Sequence, residues 1–394
     1  MIKRELPKDR PNDFSKIIPD VEKIINYVKT KGDEAIFELE EKFDKVKLTS
    51  LKLNNIEELA SQVSEDLKKS IDIIYSQIYE FNNTIKPPNM IGGSFNGVEY
   101  GVLWRSIEKV GIYVPGGDKA YPSTLLMAGV PAIVAGVKEI YVSSPPNKIN
   151  PVIAYISLKL NVKEVYTIGG AQAIAAMAYG TQTVKKVDKI VGPGNIYVQA
   201  AKYLVSSDVG IDGIEGPTEL VIIADESANP NNIILDLRAQ AEHGRLTFLV
   251  LLTTSDKLIE IVTRELDKDE NTYFVLKVNS IDEAIDIANE VAPEHLSLQV
   301  ENANEYLMKV KNAGAITLGS TPPALIDYSA GPNHILPTNS WAKIRGGVSV
   351  YDYLKMIMYA SAKTPDKKVI EASKILAKYE GFNYHADSIG VRYE

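Results

Sequence analysis

Few side chains in this sequence of 394 residues can carry imidazole or thiol chemistry. There are four histidines, His243, His295, His334 and His385, and no cysteine. A chain without cysteine has no disulfide framework, no iron–sulfur ligands, no thiol nucleophile and no Cys-type zinc site. A metal would have to be held by His, Asp, Glu, Gln or water. The histidines stand in short polar runs. Gln240-Ala241-Glu242-His243 closes an amphipathic segment that Gly244 ends. Residues three apart share a helix face, so Gln240 and His243 could offer an amide oxygen and an imidazole nitrogen to one cation. The plainer reading is a polar helix end with His243 at the negative pole of the dipole. In Ala292-Pro293-Glu294-His295 a carboxylate sits beside an imidazole after a proline that breaks regular structure. That suits an acid–base pair whose members have separate targets, or merely a solvated loop. Asp327-Tyr328 and Asn333-His334 flank Ser329-Ala330-Gly331-Pro332, a polar loop of the kind that holds ligands at the C-terminal ends of parallel strands. Glu380-Gly381-Phe382-Asn383-Tyr384-His385 comes close to the C-terminus and, taken alone, reads as a frayed tail.

The elements that must position these residues change character along the chain. Phe14 to Thr30 carries Phe14, Ile17, Ile18, Val21, Ile24, Ile25 and Val28 at helical spacing, and Gly32 stops it. Ile56 to Phe81 is a second amphipathic stretch, and Pro87 to Gly97 reads as a loop. From Val110 short apolar runs alternate with helical ones across glycine turns. A second such series begins at Leu220 and reaches Ala315 to Leu318. Repeated strand–turn–helix predicts parallel sheets with crossover helices. The Gly-Pro turn at Glu215 to Thr218 is no linker, so the expected fold is α/β, with two closely packed Rossmann-like parallel-sheet modules, a helical N-terminal region and a C-terminal helical tail. The expected boundaries are an arm at 1–15, a first module of 16–110 plus 219–348, a second module of 111–218 and the tail at 349–394. The dinucleotide fingerprint G-x-G-x-x-G is absent: Gly210, Gly213 and Gly216 precede a strand instead of following one.

Composition narrows the setting. Lys plus Arg is 43 and Asp plus Glu is 51, giving a net charge of −8, which disfavours sequence-independent nucleic-acid binding. Met1 to Phe14 is too charged for a signal peptide. The longest apolar run, Leu125 to Val137, contains Pro131 and is too short to span a bilayer. No membrane association and a cytoplasmic location are the expectation.

Taken together, the segments resemble histidinol dehydrogenase over nearly the whole chain. The carriers are GIYVPGG (Gly111 to Gly117), YPSTLLMAGVPAIVAGV (Tyr121 to Val137), IGGAQAIAAMAYGT (Ile168 to Thr181) and DKIVGPGNIYVQAAK (Asp188 to Lys202). GPTEL (Gly216 to Leu220), QAEHG (Gln240 to Gly244), APEHL (Ala292 to Leu296), NAGAITLG (Asn312 to Gly319), DYSAGPNHILPT (Asp327 to Thr338) and EGFNYH (Glu380 to His385) follow in the family's order. The resemblance implies the last step of histidine biosynthesis, in which L-histidinol is oxidised through bound L-histidinaldehyde to L-histidine with two NAD⁺. It implies one Zn²⁺ per active site, with ligands matching Gln240, His243, Asp327 and His385, and a catalytic pair matching Glu294 and His295. It further implies substrate contacts at Thr218, Gln240, His243, His295, His334, Asp327, Glu380 and His385, and NAD contacts at Tyr113, Gln172 and Asn195. The family's C-terminal tail crosses a homodimer, so Glu380 and His385 would complete the partner's site. Two departures stand out. Thr218 takes the place of a serine common in the family, and the loop between Gly319 and Asp327 is about one residue shorter than in many members. The alternative is a paralogous zinc- and NAD-dependent dehydrogenase of another polyol or a sulfonated alcohol. The presence of Glu380 and His385 at the family's spacing favours histidinol over it.

Overall fold

The computed structural model describes residues 1–7, 14–116 and 121–393. Gly117, which ends the first glycine turn, and residues 8–13 of the expected arm lie outside the described residues. The chain forms two units. The first is Met1–Ile85 with Ile107–Tyr353, and the second is Lys86–Ser106 with the chain from Leu354 onward.

The first unit opens with strand β1 (Ile2–Lys3) and helices α1 (Ile18–Lys31), α2 (Asp33–Phe43), α3 (Ile56–Ser61) and α4 (Glu65–Ile85). The next strands, β2 (Met90–Phe95) and β3 (Val98–Ser106), belong to the second unit. Then come β4 (Lys109–Tyr113), α5 (Pro122–Ala135), β5 (Glu139–Ser143), α6 (Pro151–Lys159), β6 (Glu164–Tyr166), α7 (Gly170–Tyr179), β7 (Lys189–Val191), α8 (Ile196–Val205) and β8 (Gly210–Ile211). These strands form a parallel sheet ordered β6-β5-β4-β7-β8. The crossovers leave β4 in opposite directions, so the edge between β4 and β7 is a topological switch point. Helix α5 is buried on almost every side, which explains its run of apolar residues without a membrane. No helix among the described residues is long and apolar enough to cross a bilayer.

The N-terminal helices do not pack where the sequence placed them. Residues 16–110 were expected with 219–348. Instead Val21, Ile25 and Val28 of α1 and Ala35, Ile36 and Leu39 of α2 share one core with Ala171, Ile174, Ala175 and Ala178 of α7 and Val198 and Val205 of α8. An apolar stripe states that a helix face is covered but not by what. The small side chains of α7 leave the room that α1 fills.

The second parallel sheet is built from β9 (Glu219–Ala224), α9 (Pro230–Ala241), β10 (Phe248–Thr253), α10 (Asp256–Leu266), β11 (Tyr273–Lys277), α11 (Ile281–Val291), β12 (His295–Gln299), the short α12 (Ala303–Tyr306) and β13 (Ala315–Leu318). Its order is β1-β11-β10-β9-β12-β13. Setting β1 aside, this repeats the order of the first sheet, with its switch point between β9 and β12. Leu220, Ile222, Leu249 and Leu251 pack on Ile233, Leu237 and Val262 from α9 and α10. Val221, Ile223, Val250 and Leu252 pack on Ala284, Ile285 and Ala288 of α11. Strands covered on both faces read as continuous apolar runs, which is why β9 and β10 were legible.

The second unit is a three-stranded antiparallel sheet, in which β14 (Leu354–Ser361) and β2 flank β3, with helices α13 (Lys367–Tyr379) and α14 (Asn383–Tyr393). This corrects two expectations: residues 90–95 of the expected 87–97 loop form a strand, and the segment from 349 onward is not wholly helical. The hairpin turns at Asn96-Gly97, with φ of 50° and 74°. Two successive left-handed residues give the turn whose twist matches paired strands, and Asn-Gly is the sequence that forms it.

Candidate active site

Parallel pairing of β9 with β12 sets His295 opposite Leu220. The residues just before each strand, Thr218 and Glu294, therefore meet at the sheet's switch point, at its N-terminal edge. Glu294 Oε2 accepts a short hydrogen bond from the Thr218 hydroxyl and a second from the Glu219 N–H at 2.8 Å. In return the Glu294 N–H donates to Glu219 Oε2 at 3.3 Å. Gln240, in the last turn of α9, donates from Nε2 to Thr218 Oγ1 at 2.5 Å. The result is a relay of hydrogen bonds from Gln240 through Thr218 to Glu294.

Around this relay lies a cavity of about 460 Å³. One side is formed by Thr218, Gln240, His243, Glu294, His295, Asp327 and His334. The other is formed by Pro115, Ser123, Thr124 and the turn Pro193-Gly194-Asn195, which follow β4 and β7 of the five-stranded sheet. The cavity thus joins the C-terminal edge of one switch point to the N-terminal edge of the other. The expectation that the 327–334 loop sits at a C-terminal strand end is corrected here, because that loop returns to the N-terminal side of its own sheet. The turn after β7 depends on Gly192, whose φ is +125°; a Cβ there would stand 2.1 Å from the Tyr113 carbonyl oxygen. Asn195 caps α8 by accepting from the N–H groups of Tyr197 and Val198 at 3.1 and 3.2 Å.

Burial governs the charges. It pushes the Glu294 carboxyl up to about 8, helped by the neighbouring Glu219 and Asp327 charges and opposed by its hydrogen bonds from Thr218 and the Glu219 N–H. Burial raises Asp327 to about 7. His295 is pushed down to about 3, first by burial and then by His334 and His243. Its ring is therefore neutral, and the 3.6 Å approach of its Nε2 to Asp327 Oδ1 is not an ion pair. Its Nδ1 is buried without a hydrogen-bond partner. His334 is held down at about 4 by burial. Its Nδ1 lies 2.9 Å from the Asp327 carbonyl oxygen, which can only accept, so Nδ1 carries the proton and Nε2 faces the Thr124 hydroxyl at 3.3 Å.

The structure gathers Thr218, Gln240, His243, Glu294, His295, Asp327, His334 and Asn195 around one cavity. Tyr113 and Gln172 do not line it. The Tyr113 hydroxyl is buried and accepts from the Gly170 N–H at 3.0 Å, while Gln172 Nε2 donates to the buried carboxylate of Glu40 at 2.8 Å. Glu380 and His385 belong to the second unit, where both are exposed and the His385 ring packs on Phe382 with centroids 5.1 Å apart. Among the described residues no three His, Cys, Asp or Glu side chains cluster closely enough for a metal. The expected ligand set counts a glutamine amide and a histidine of the second unit. Its three first-unit members, Gln240, His243 and Asp327, nevertheless line one cavity and offer the amide, imidazole and carboxylate donor types that suit a borderline cation. A divalent ion there would reverse the upward push that burial gives Asp327. Sequence reasoning overlooked Glu219, Thr124 and Glu40 as site supports. Glu219 and Thr124 carried a signal, the first in the GPTEL run next to Thr218 and the second in the YPST run, whereas Glu40 carried none.

A family model described as histidinol dehydrogenase matches residues 8–393. The chain is 80% identical over its full length, and the relative's full length, to histidinol dehydrogenase of Sulfurisphaera tokodaii, and 64% identical, again end to end, to that of Sulfolobus acidocaldarius. Among solved structures it resembles the crystal structure of histidinol dehydrogenase from Elizabethkingia anophelis at a TM-score of 0.91 and 34% identity, covering 99% of this chain and 97% of that one.

Proposed function

The chain belongs to the histidinol dehydrogenase family, and from that membership we propose how its residues oxidise L-histidinol through L-histidinaldehyde to L-histidine, the last step of histidine biosynthesis. The protein is an oxidoreductase. The observation that carries the assignment of roles is the convergence of Thr218, Gln240, His243, Glu294, His295, Asp327 and His334 on one cavity between two switch points.

Gln240, His243 and Asp327, with His385, would hold one Zn²⁺, which supplies a Lewis-acidic anchor for the substrate's imidazole and amino nitrogens without changing its own redox state. Of the NAD contacts expected at Tyr113, Gln172 and Asn195, only Asn195 borders the cavity, where it would help hold NAD⁺; that cofactor would supply the hydride acceptor for each of the two oxidations. The remaining chemistry falls to this chain. His295 lines the cavity and its ring is neutral, so a ring nitrogen can take the alcohol proton as hydride departs. His334, also neutral, borders the same space and orients the reacting oxygen. Glu294 takes a proton from water as that water attacks the aldehyde, giving the gem-diol as its anion, which yields the carboxyl group when the second hydride leaves. It must be ionised to do this, and its hydrogen bonds from Thr218 and the Glu219 N–H favour the ionised form against burial. With no cysteine in the chain, a thiohemiacetal is not available, and water is the oxygen donor.

Glu380 would contact the substrate's amino group. Both Glu380 and His385 are assigned to the partner's site in a homodimer, in keeping with their exposure in the second unit. NADH absorbance at 340 nm on mixing protein, Zn²⁺, NAD⁺ and L-histidinol tests the reading. Absence of any NADH would remove it.

A further inference from the structure

The two walls of the cavity are tied together by a buried ionic cluster that the roles above do not use. Lys202, on α8, has no solvent exposure. Its ammonium pairs with the Asp212 carboxylate, lies 3.2 Å from Glu215 Oε2 and donates to the Gly192 carbonyl at 3.1 Å. Asp212 Oδ2 accepts from the Gly192 N–H at 2.7 Å, so both backbone groups of Gly192 are held. Arg345 closes the cluster from the other direction. It donates to the Asp212 carbonyl at 2.7 Å and to Glu215 Oε1 at 2.9 Å. Gly213 makes room for this guanidinium, since a Cβ there would lie 2.0 Å from it. A parallel link runs through Gln199, which accepts from the Glu215 N–H at 3.0 Å and donates to the Gly194 carbonyl at 3.3 Å. One end of this network is the turn leading to Asn195; the other is the loop leading to Thr218.

Burying a lysine and its counter-ions costs more than burying apolar groups of the same size, so such a cluster contributes little to stability for the ions it hides. What it does supply is a fixed geometry. Lys202, Asp212 and Arg345 do not line the cavity, and Glu215 alone of the four reaches it. We propose that Lys202, Asp212, Glu215 and Arg345 are positioning residues that set the distance between the Gly192–Asn195 turn and the Gly213–Thr218 loop, so that a nucleotide cofactor on the first and an amino alcohol on the second meet at reacting distance. This rests on the dehydrogenase reading above. Asp212 serves the cofactor side, because it holds the Gly192 N–H. Arg345 serves the substrate side, because it clamps Glu215.

The test compares Arg345→Gln and Asp212→Asn with the wild-type holoenzyme. Binding of NADH is followed by its fluorescence, binding of L-histidinol by calorimetry, and folding by melting temperature. Loss of one charge-assisted hydrogen bond gives about a tenfold weakening. Arg345→Gln should weaken L-histidinol by about that factor and leave NADH within about twofold, with Arg345→Lys recovering part of the loss. Asp212→Asn should do the reverse. Variants that bind both ligands and turn over normally, or that lose both in step with a lower melting temperature, overturn the positioning role. If Asp212→Asn does not fold, Arg345→Gln decides alone: unchanged L-histidinol binding together with unchanged kcat overturns the proposal. Wild-type protein that makes no NADH from L-histidinol would instead overturn the dehydrogenase reading.

Discussion

Replacing Thr218 with valine probes the proposed role of Glu294 as a base. The Thr218 hydroxyl donates to Glu294 Oε2 and accepts from Gln240 Nε2. Valine keeps the shape and removes both bonds. A hydrogen bond to a charged acceptor contributes about 1.5–3 kcal/mol, and about 1.4 kcal/mol corresponds to one pH unit. The bond stabilises the ionised carboxylate, so its loss raises the carboxyl further, by about one to two pH units. The step that needs ionised Glu294 must then move to higher pH by the same amount. The assay is the pH dependence of NADH formation from L-histidinaldehyde, with wild type and variant at equal Zn²⁺ and NAD⁺. Wild-type activity should rise with pH as Glu294 loses its proton, and Thr218→Val should follow the same rise displaced upward. Thr218→Ser, which keeps the hydroxyl, should superpose on wild type. A Thr218→Val profile with an unchanged midpoint would refute the claim that this hydroxyl sets the ionisation of Glu294.

Three further outcomes follow from the assigned roles. Glu294→Gln should spare the alcohol step more than the aldehyde step, so NADH formed per histidinol falls from two toward one; equal loss of both steps in single-turnover measurements contradicts the division of labour. His295→Asn should slow the alcohol oxidation by roughly 10²–10⁴-fold, and a near-normal rate would remove His295 as the base. Deleting residues 379–394 should abolish zinc retention and turnover in a folded protein, measured by metal analysis and circular dichroism; full zinc and activity would return Glu380 and His385 to the status of a tail.

The sequence was most informative where burial is two-sided. Leu220 to Ala224 and Phe248 to Thr253 are covered on both faces, and their unbroken apolar runs announce parallel strands. The second unit was least legible. Strand β2 is exposed along its length and carries Gly92, Gly93 and Ser94, so no alternation marks it, although Asn96-Gly97 was a hairpin signal. The packing of α1 on α7 was not legible either, because it depends on the alanines of a helix far along the chain. At the site, residue types and order were readable from motifs, whereas the Thr218–Glu294 bond was not. That bond follows from the register of β9 with β12, which brings together residues 76 positions apart. Tyr113 and Gln172 illustrate the converse: motif matching named them, and the structure ties them to Gly170 and Glu40 instead of the cavity wall.

The central claim is that one cavity carries both oxidations, with His295 serving the first and Glu294 the second. It is tested most directly by running L-histidinol to completion with excess NAD⁺ and Zn²⁺ while quantifying NADH and L-histidine together. The account predicts two NADH for each L-histidine formed, with no aldehyde released. One NADH per histidinol consumed, with free aldehyde in solution, would contradict it.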